Sequence, residues 1–180
     1  MTLDDTFKQS DLLHLASGIT SRLLQGSAWM KVDQQTWTAE CGGLLNLSHD
    51  DLQTDTSAKC VFIICHNWID TMPIVCCEEP WLKKMGADWH VYKNGVLCFE
   101  LDLRWKDQVA RAVQEHGTMH GAAYAATWCL NSSRWLLYRH HYAHVHNIHQ
   151  WPKEWPSWRH GKDGQRDYRR MTSNLMKETT

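Results

Sequence analysis

Residues 88–105 read DWHVYKNGVLCFELDLRW, and the character of the chain changes across them. Asn94-Gly95 is a tight-turn dipeptide, because both residues tolerate the backbone angles a sharp reversal needs. The short apolar Val96-Leu97 that follows is expected to pin the chain against a core. Cys98 then stands at a rigid exit from the turn, where partial exposure is expected. A reactive cysteine needs that access and a raised thiolate fraction, whereas a structural one needs only burial. A thiolate placed there suits acyl transfer, since it attacks carbonyls and thioesters readily and leaves again easily.

Upstream of this segment the sequence reads as one helix and then strands. Phe7, Leu12, Leu15, Ile19 and Leu23 recur at helical spacing, which predicts a helix over residues 4–24 ended by Gly26. Residues 28–40 alternate around the polar Asp33-Gln34-Gln35, the pattern of a hairpin. Gly42-Gly43 precedes a further apolar stretch, residues 44–47. After a polar loop, residues 60–67 (CVFIICHN) give the strongest strand signal, continuous and rich in branched side chains. Pro73-Ile74-Val75 adds a short strand that Pro80 stops, and residues 81–99 read as loop with brief extended pieces.

Downstream the period turns helical. Asp107 opens a helical region to about residue 129, kinked near Gly117 and Gly121. Ser132 or Ser133 is expected to cap a further helix over residues 134–149. Strands followed by helices indicate an α+β architecture, with an N-terminal helix, an antiparallel meander sheet and C-terminal helices on one face. Residues 1–150 form the expected domain, and residues 151–180 a Trp- and Pro-rich extension packed on it or trailing from it.

Composition narrows the function. The 180 residues carry 19 Lys and Arg against 20 Asp and Glu, so no basic excess points to nucleic acid. The apolar runs are too short to cross a bilayer, and no secretory signal opens the chain, so no membrane partner is expected. Seven cysteines without a Cys-x-x-Cys spacing, in a chain lacking such a signal, are expected to be reduced thiols in a cytoplasm. Eleven tryptophans predict a bulky rigid core or an adhesive surface.

The segment around Cys98 resembles the ubiquitin-conjugating (E2, UBC-type) family. That family carries a His-Pro-Asn tripeptide, a short turn, Asn-Gly-x-[Ile/Val]-Cys-Leu, and a Trp opening a helix. Here stand His90, then Asn94-Gly95-Val96-Leu97-Cys98-Phe99, then Trp105. In motif the resemblance covers about twenty residues; in element order it covers about residues 4–150, which it makes the E2-like catalytic domain. The phrase Ala87-Asp88-Trp89-His90 and the His- and Trp-rich C-terminal half look most like the divergent E2-like proteins of bacterial antiphage (CBASS) and ubiquitin-like conjugation operons.

The resemblance implies a thioester on Cys98. The acyl donor would be the C-terminus of a ubiquitin-like protein or of a cyclic-oligonucleotide synthase (nucleotidyltransferase), and the acceptor an amine. It implies no cofactor for this chain, with ATP used by an E1-like activating enzyme where one takes part. The family's Pro-Asn is absent, since Val91-Tyr92 follow His90, so another oxyanion donor is expected. Asn94 and the group Asn131-Ser132-Ser133 are the candidates. His90 is expected to hold the loop by hydrogen bonding, with general base as the alternative. Asp88 and Asp102 are weaker candidates for steering a lysine.

Blander readings stand beside these. Cys41, Cys60, Cys65, Cys76, Cys77 and Cys129 read as core thiols. Cys76-Cys77 competes with Cys98 as nucleophile, but Glu78-Glu79 would disfavour a thiolate there. His140 and His144 have the spacing with which two imidazoles share zinc. No third ligand is identifiable, so imidazoles bonding to backbone, or a partner surface, are expected for His140, His141, His144, His146 and His149, and no metal. Trp151, Trp155 and Trp158 read as packing over the core or as a docking surface, and the basic residues 166–170 as a solvated end. Two other classes remain as alternatives, a non-catalytic E2-like binding module and a His-rich metal-dependent hydrolase.

Overall fold

The computed structural model describes residues 1–48, 54–84, 89–99 and 103–152. Helix α1, Leu3–Thr20, begins at a capping box in which Thr2 and Asp5 bond each other's backbone. It presents Leu12, Leu15, Ala16 and Ile19 to the interior. The helix stops at Thr20, short of the residue-24 end that spacing predicts. The side chains of Thr20, Ser21 and Arg22 turn back to bond the carbonyls of Ser17 and Gly18, which satisfies the last turn. Leu23 stays buried beyond the helix, and Leu24 N–H bonds the carbonyl of Leu44.

Four strands follow, β1 Trp29–Asp33, β2 Thr38–Asn46, β3 Ser57–Cys65 and β4 Ile74–Cys77. They form one antiparallel sheet in the order β1-β2-β3-β4, a meander as the sequence predicts. The first hairpin turns where Asp33 accepts the backbone N–H groups of Gln35 and Thr36. β2 runs straight through Gly42-Gly43, because β3 pairs with it from Thr38 to Asn46 and carries it across the weak positions. Alternate residues Ala58, Cys60, Phe62 and Ile64 of β3 are buried, with Ala39, Cys41 and Leu45 of β2 and Val75 and Cys77 of β4. α1 and the C-terminal helices share this core.

Helix α2, Leu103–His116, and helix α3, Thr118–Val145, complete the fold. Gly117, at φ 89°, makes the break between them, a conformation a side chain would disfavour. α3 is continuous where the sequence suggests a new start at Ser132 or Ser133. Ser133 Oγ bonds the Cys129 carbonyl one turn back rather than capping a helix. Residues from Tyr124 to Ser133 are buried throughout, so tertiary packing overrides the local turn preference of Asn131-Ser132-Ser133.

The tryptophans connect these parts. Trp68, in the loop after β3, is wholly buried, and its indole N–H bonds the Asp11 carbonyl of α1 at 3.0 Å. Trp105 of α2 donates to the Trp68 carbonyl at 2.9 Å, and its ring meets Trp128 of α3 edge-on. Each indole thus buries a large apolar area while its own N–H finds a backbone carbonyl. Replacing Trp68 by Ala removes both, and a loss of roughly 3–5 kcal/mol is expected in urea unfolding. Trp68→Phe is expected to lose less, about 0.5–1.5 kcal/mol, through the lost indole hydrogen bond to α1.

Candidate active site

Residues 90–98 fold as a small hairpin. Tyr92 N–H bonds the Val96 carbonyl at 2.9 Å, and Cys98 N–H bonds the His90 carbonyl at 2.7 Å. Val91 and Leu97 face each other between those two pairs. Gly95 closes the turn at φ 83°, donating its N–H to the Tyr92 carbonyl. A Cβ at Gly95 would lie 2.3 Å from the Cys77 carbonyl oxygen, so both the angle and the close approach require glycine. Asn94 Oδ1 accepts from Val96 N–H at 3.2 Å, which stiffens the turn from inside.

The hairpin is joined to the free edge of β4. Cys77 N–H bonds the Gly95 carbonyl at 2.9 Å, and Leu97 N–H bonds the Val75 carbonyl at 2.8 Å. Side chains alternate across such a pair of strands. Val91 and Leu97 point into the core. His90, Tyr92, Val96 and Cys98 therefore share the other face. Tyr92 and Cys98 are diagonal neighbours on it, and Cys98 Sγ lies 3.5 Å from Tyr92 Oη. Cys98 is half-buried and Tyr92 is 57% exposed.

His90 is nearly buried and adopts φ 55°, a left-handed angle that histidine takes more often than most residues. Its carbonyl, through the bond to Cys98 N–H, ties the base of the hairpin together. Its ring lies edge-on to Trp151, with centroids 5.7 Å apart. Trp151 also meets Trp89 and His140, so the start of the C-terminal extension covers the His90 loop.

His140 of α3 is wholly buried beneath this cluster. Its Nδ1 accepts the Lys83 N–H at 3.1 Å, and its Nε2 stands 2.6 Å from the Trp89 carbonyl. A carbonyl only accepts, so Nε2 carries the proton and the ring is neutral. One imidazole thus holds both flanks of the chain between residues 83 and 89, ahead of the hairpin. Burial pushes its pKa down to about 4, against a smaller upward pull from the Trp89 carbonyl and further lowering by His90 and Lys83.

The other predicted residues fall elsewhere. Asn131 Oδ1 is bonded by Arg134 Nη1, and Arg134 Nε reaches the Asn46 carbonyl at the end of β2. Ser132 Oγ is buried with no hydrogen-bond partner among the described residues. Asn131 and Ser132 precede His140 by two turns or more of α3, and among the described residues neither side chain bonds the hairpin. Asp88 and Asp102 lie outside the described residues, as do Trp155, Trp158 and residues 166–170.

Of the other cysteines, Cys41, Cys60, Cys77 and Cys129 are buried, while Cys65 and Cys76 are half-buried. Burial pushes the Cys41 thiol up to about 12 and raises Cys129 as well. Cys60 is raised by its hydrogen bond to Cys77, directly opposite in β4, and by burial. Cys76 is raised by burial first and by Glu78 second, the direction its acidic neighbours suggest. These four thiols are thereby poor thiolate sources.

The paired spacing of His140 and His144 does not make a metal site. Both nitrogens of His140 are engaged, and His144 is exposed. Among the described residues no group of three potential metal ligands occurs. Sequence reasoning missed the contact between Tyr92 and Cys98. The signal was present, since a turn centred on Asn94-Gly95 puts residues 92 and 98 on one face at the period of two. Compared with models of protein families, with curated proteins and with solved structures, the chain matches none.

The neutral burial of His140 has a pH consequence. The unfolded chain takes a proton near pH 6.5 that the folded chain refuses until about 4. Stability should therefore fall as pH drops through that window, by on the order of 3 kcal/mol from this group. His140→Gln removes the titration, so urea midpoints of the variant should depend less on pH between those limits than those of the wild type.

Proposed function

We propose that this chain is an E2-like conjugating enzyme of the ubiquitin-conjugating (UBC) type, with Cys98 as its thioester-forming nucleophile. The observation that carries the reading is the placement of Cys98, half-buried at the end of a hairpin that its own backbone closes and β4 anchors. The order of helix, antiparallel meander, cysteine hairpin and C-terminal helices supports it as well.

The chemistry is two acyl transfers. The Cys98 thiolate attacks the thioester carbonyl that joins the C-terminus of a ubiquitin-like protein or a nucleotidyltransferase to its activating enzyme; the carbonyl electron pair moves to oxygen and returns as the activating enzyme's thiolate leaves. An amine of the acceptor, a lysine in the simplest case, then attacks the Cys98 thioester. It loses its proton to a base and expels the Cys98 thiolate, leaving an amide. His90 shapes the nucleophile's loop through its carbonyl, and Asn94 holds the turn. The chain itself needs no cofactor, because ATP is used by an E1-like activating enzyme. By the same reading the protein works in the cytoplasm of a bacterium, in antiphage defence.

The test is intact-mass spectrometry of the protein incubated with candidate acyl donors encoded beside it, their activating enzyme and ATP. A donor adduct that reductant removes is expected on the wild type and absent in Cys98→Ala. The same adduct persisting in Cys98→Ala would remove Cys98 from the chemistry. No adduct with any donor would turn the fold into a binding module.

A further inference from the structure

Tyr92 has no part in the chemistry derived above, yet its hydroxyl is placed at the reacting atom. Its Oη stands 3.5 Å from Cys98 Sγ, and the hairpin register makes that approach a built feature. With Val91 and Leu97 paired and buried, residues 92 and 98 are fixed on the outer face as a diagonal pair. Three backbone bonds within the hairpin and two to β4 hold the register. The phenol is mostly exposed, so the position it occupies is not imposed by core packing.

A phenol keeps its proton at neutral pH and donates one strong hydrogen bond. While Cys98 is a thiol, the thiol donates to Tyr92 Oη. Once Cys98 is a thiolate, only the phenol has a proton to give, and the bond reverses direction. Charge-assisted bonds of this kind are markedly stronger than neutral ones. In acylation the oxyanion develops two bonds from the sulfur, within the reach of the same hydroxyl.

We infer that Tyr92 is a catalytic residue, whose O–H donates to the Cys98 thiolate and then to the oxyanion formed as Cys98 is acylated. The inference rests, for its second half, on the acyl-transfer reading of Cys98. In the step itself the carbon–sulfur bond forms as the carbonyl electron pair moves to oxygen. Tyr92 steadies that charge without giving up its proton. Collapse restores the carbonyl and expels the activating enzyme's thiolate, which had carried the acyl group, so the phenol ends as it began.

The test uses Tyr92→Phe, which keeps the ring and removes only the donor. Its first readout is the rate at which iodoacetamide alkylates Cys98, followed across pH by peptide mass spectrometry. Losing the bond removes a donor that favours the thiolate, while each remaining thiolate is the more nucleophilic. The two effects leave the variant about threefold slower at neutral pH, and equal or faster once the thiol is fully ionised. A rate unchanged at neutral pH, or lowered by one factor at every pH, would overturn the assignment. This profile needs no acyl donor, so it decides the thiolate contact even where no adduct forms. Where an adduct forms, Tyr92→Phe should also slow its formation, and loading at the wild-type rate would remove the oxyanion role.

Discussion

The two backbone bonds between β4 and the cysteine hairpin, Cys77 N–H to the Gly95 carbonyl and Leu97 N–H to the Val75 carbonyl, join the sheet to the site. β4 is only four residues long and stands at the edge of the meander. Its outer edge would otherwise present unpaired donors and acceptors to solvent. The hairpin satisfies them, and in doing so acquires a fixed register. Once that register is set, Val91 and Leu97 must enter the core, while His90, Tyr92 and Cys98 must face the other way. The chemistry of the outer face follows from the pairing of the inner one.

A second clasp comes from the helical layer. His140 reaches from α3 to the Lys83 N–H and the Trp89 carbonyl, so the chain entering the hairpin is tied at both ends of a short span. Trp89 and Trp151 pack against the His140 ring, and Trp151 meets the His90 ring as well. A buried neutral imidazole suits this task because it offers one donor and one acceptor on opposite sides of a rigid ring. α3 is in turn held through Trp128 and Trp105 to Trp68, and so to α1. The same aromatic side chains that fill the core thus position the loop that carries the nucleophile.

Much of this was legible in the sequence, and what was not has physical reasons. Period-two alternation in residues 28–40 and the apolar run 60–67 located the meander, because Met30 and Val32 of β1 lean on the core and alternate residues of β2 and β3 are buried in it. The Asn94-Gly95 turn was visible for the same local reason. Asn131-Ser132-Ser133 misled as a helix start, since Asn131 and Ser133 make their hydrogen bonds inside a helix whose burial was a tertiary fact. The histidine series was expected to bond to backbone or to face a partner, and His140 does clasp backbone, but which carbonyl and N–H it takes is a tertiary fact the local sequence does not carry. Tyr92 was legible in principle, because counting from the turn places it beside Cys98.

The hairpin presents Cys98 while the fold conceals the core thiols. Site-resolved alkylation of the native protein, read peptide by peptide over time, tests this most directly. Cys98 is expected to react well ahead of Cys41, Cys60, Cys77 and Cys129, which should be protected until the sheet opens. If Cys98 were labelled only together with those four, the hairpin would not be presenting it, and the active-site reading would be contradicted.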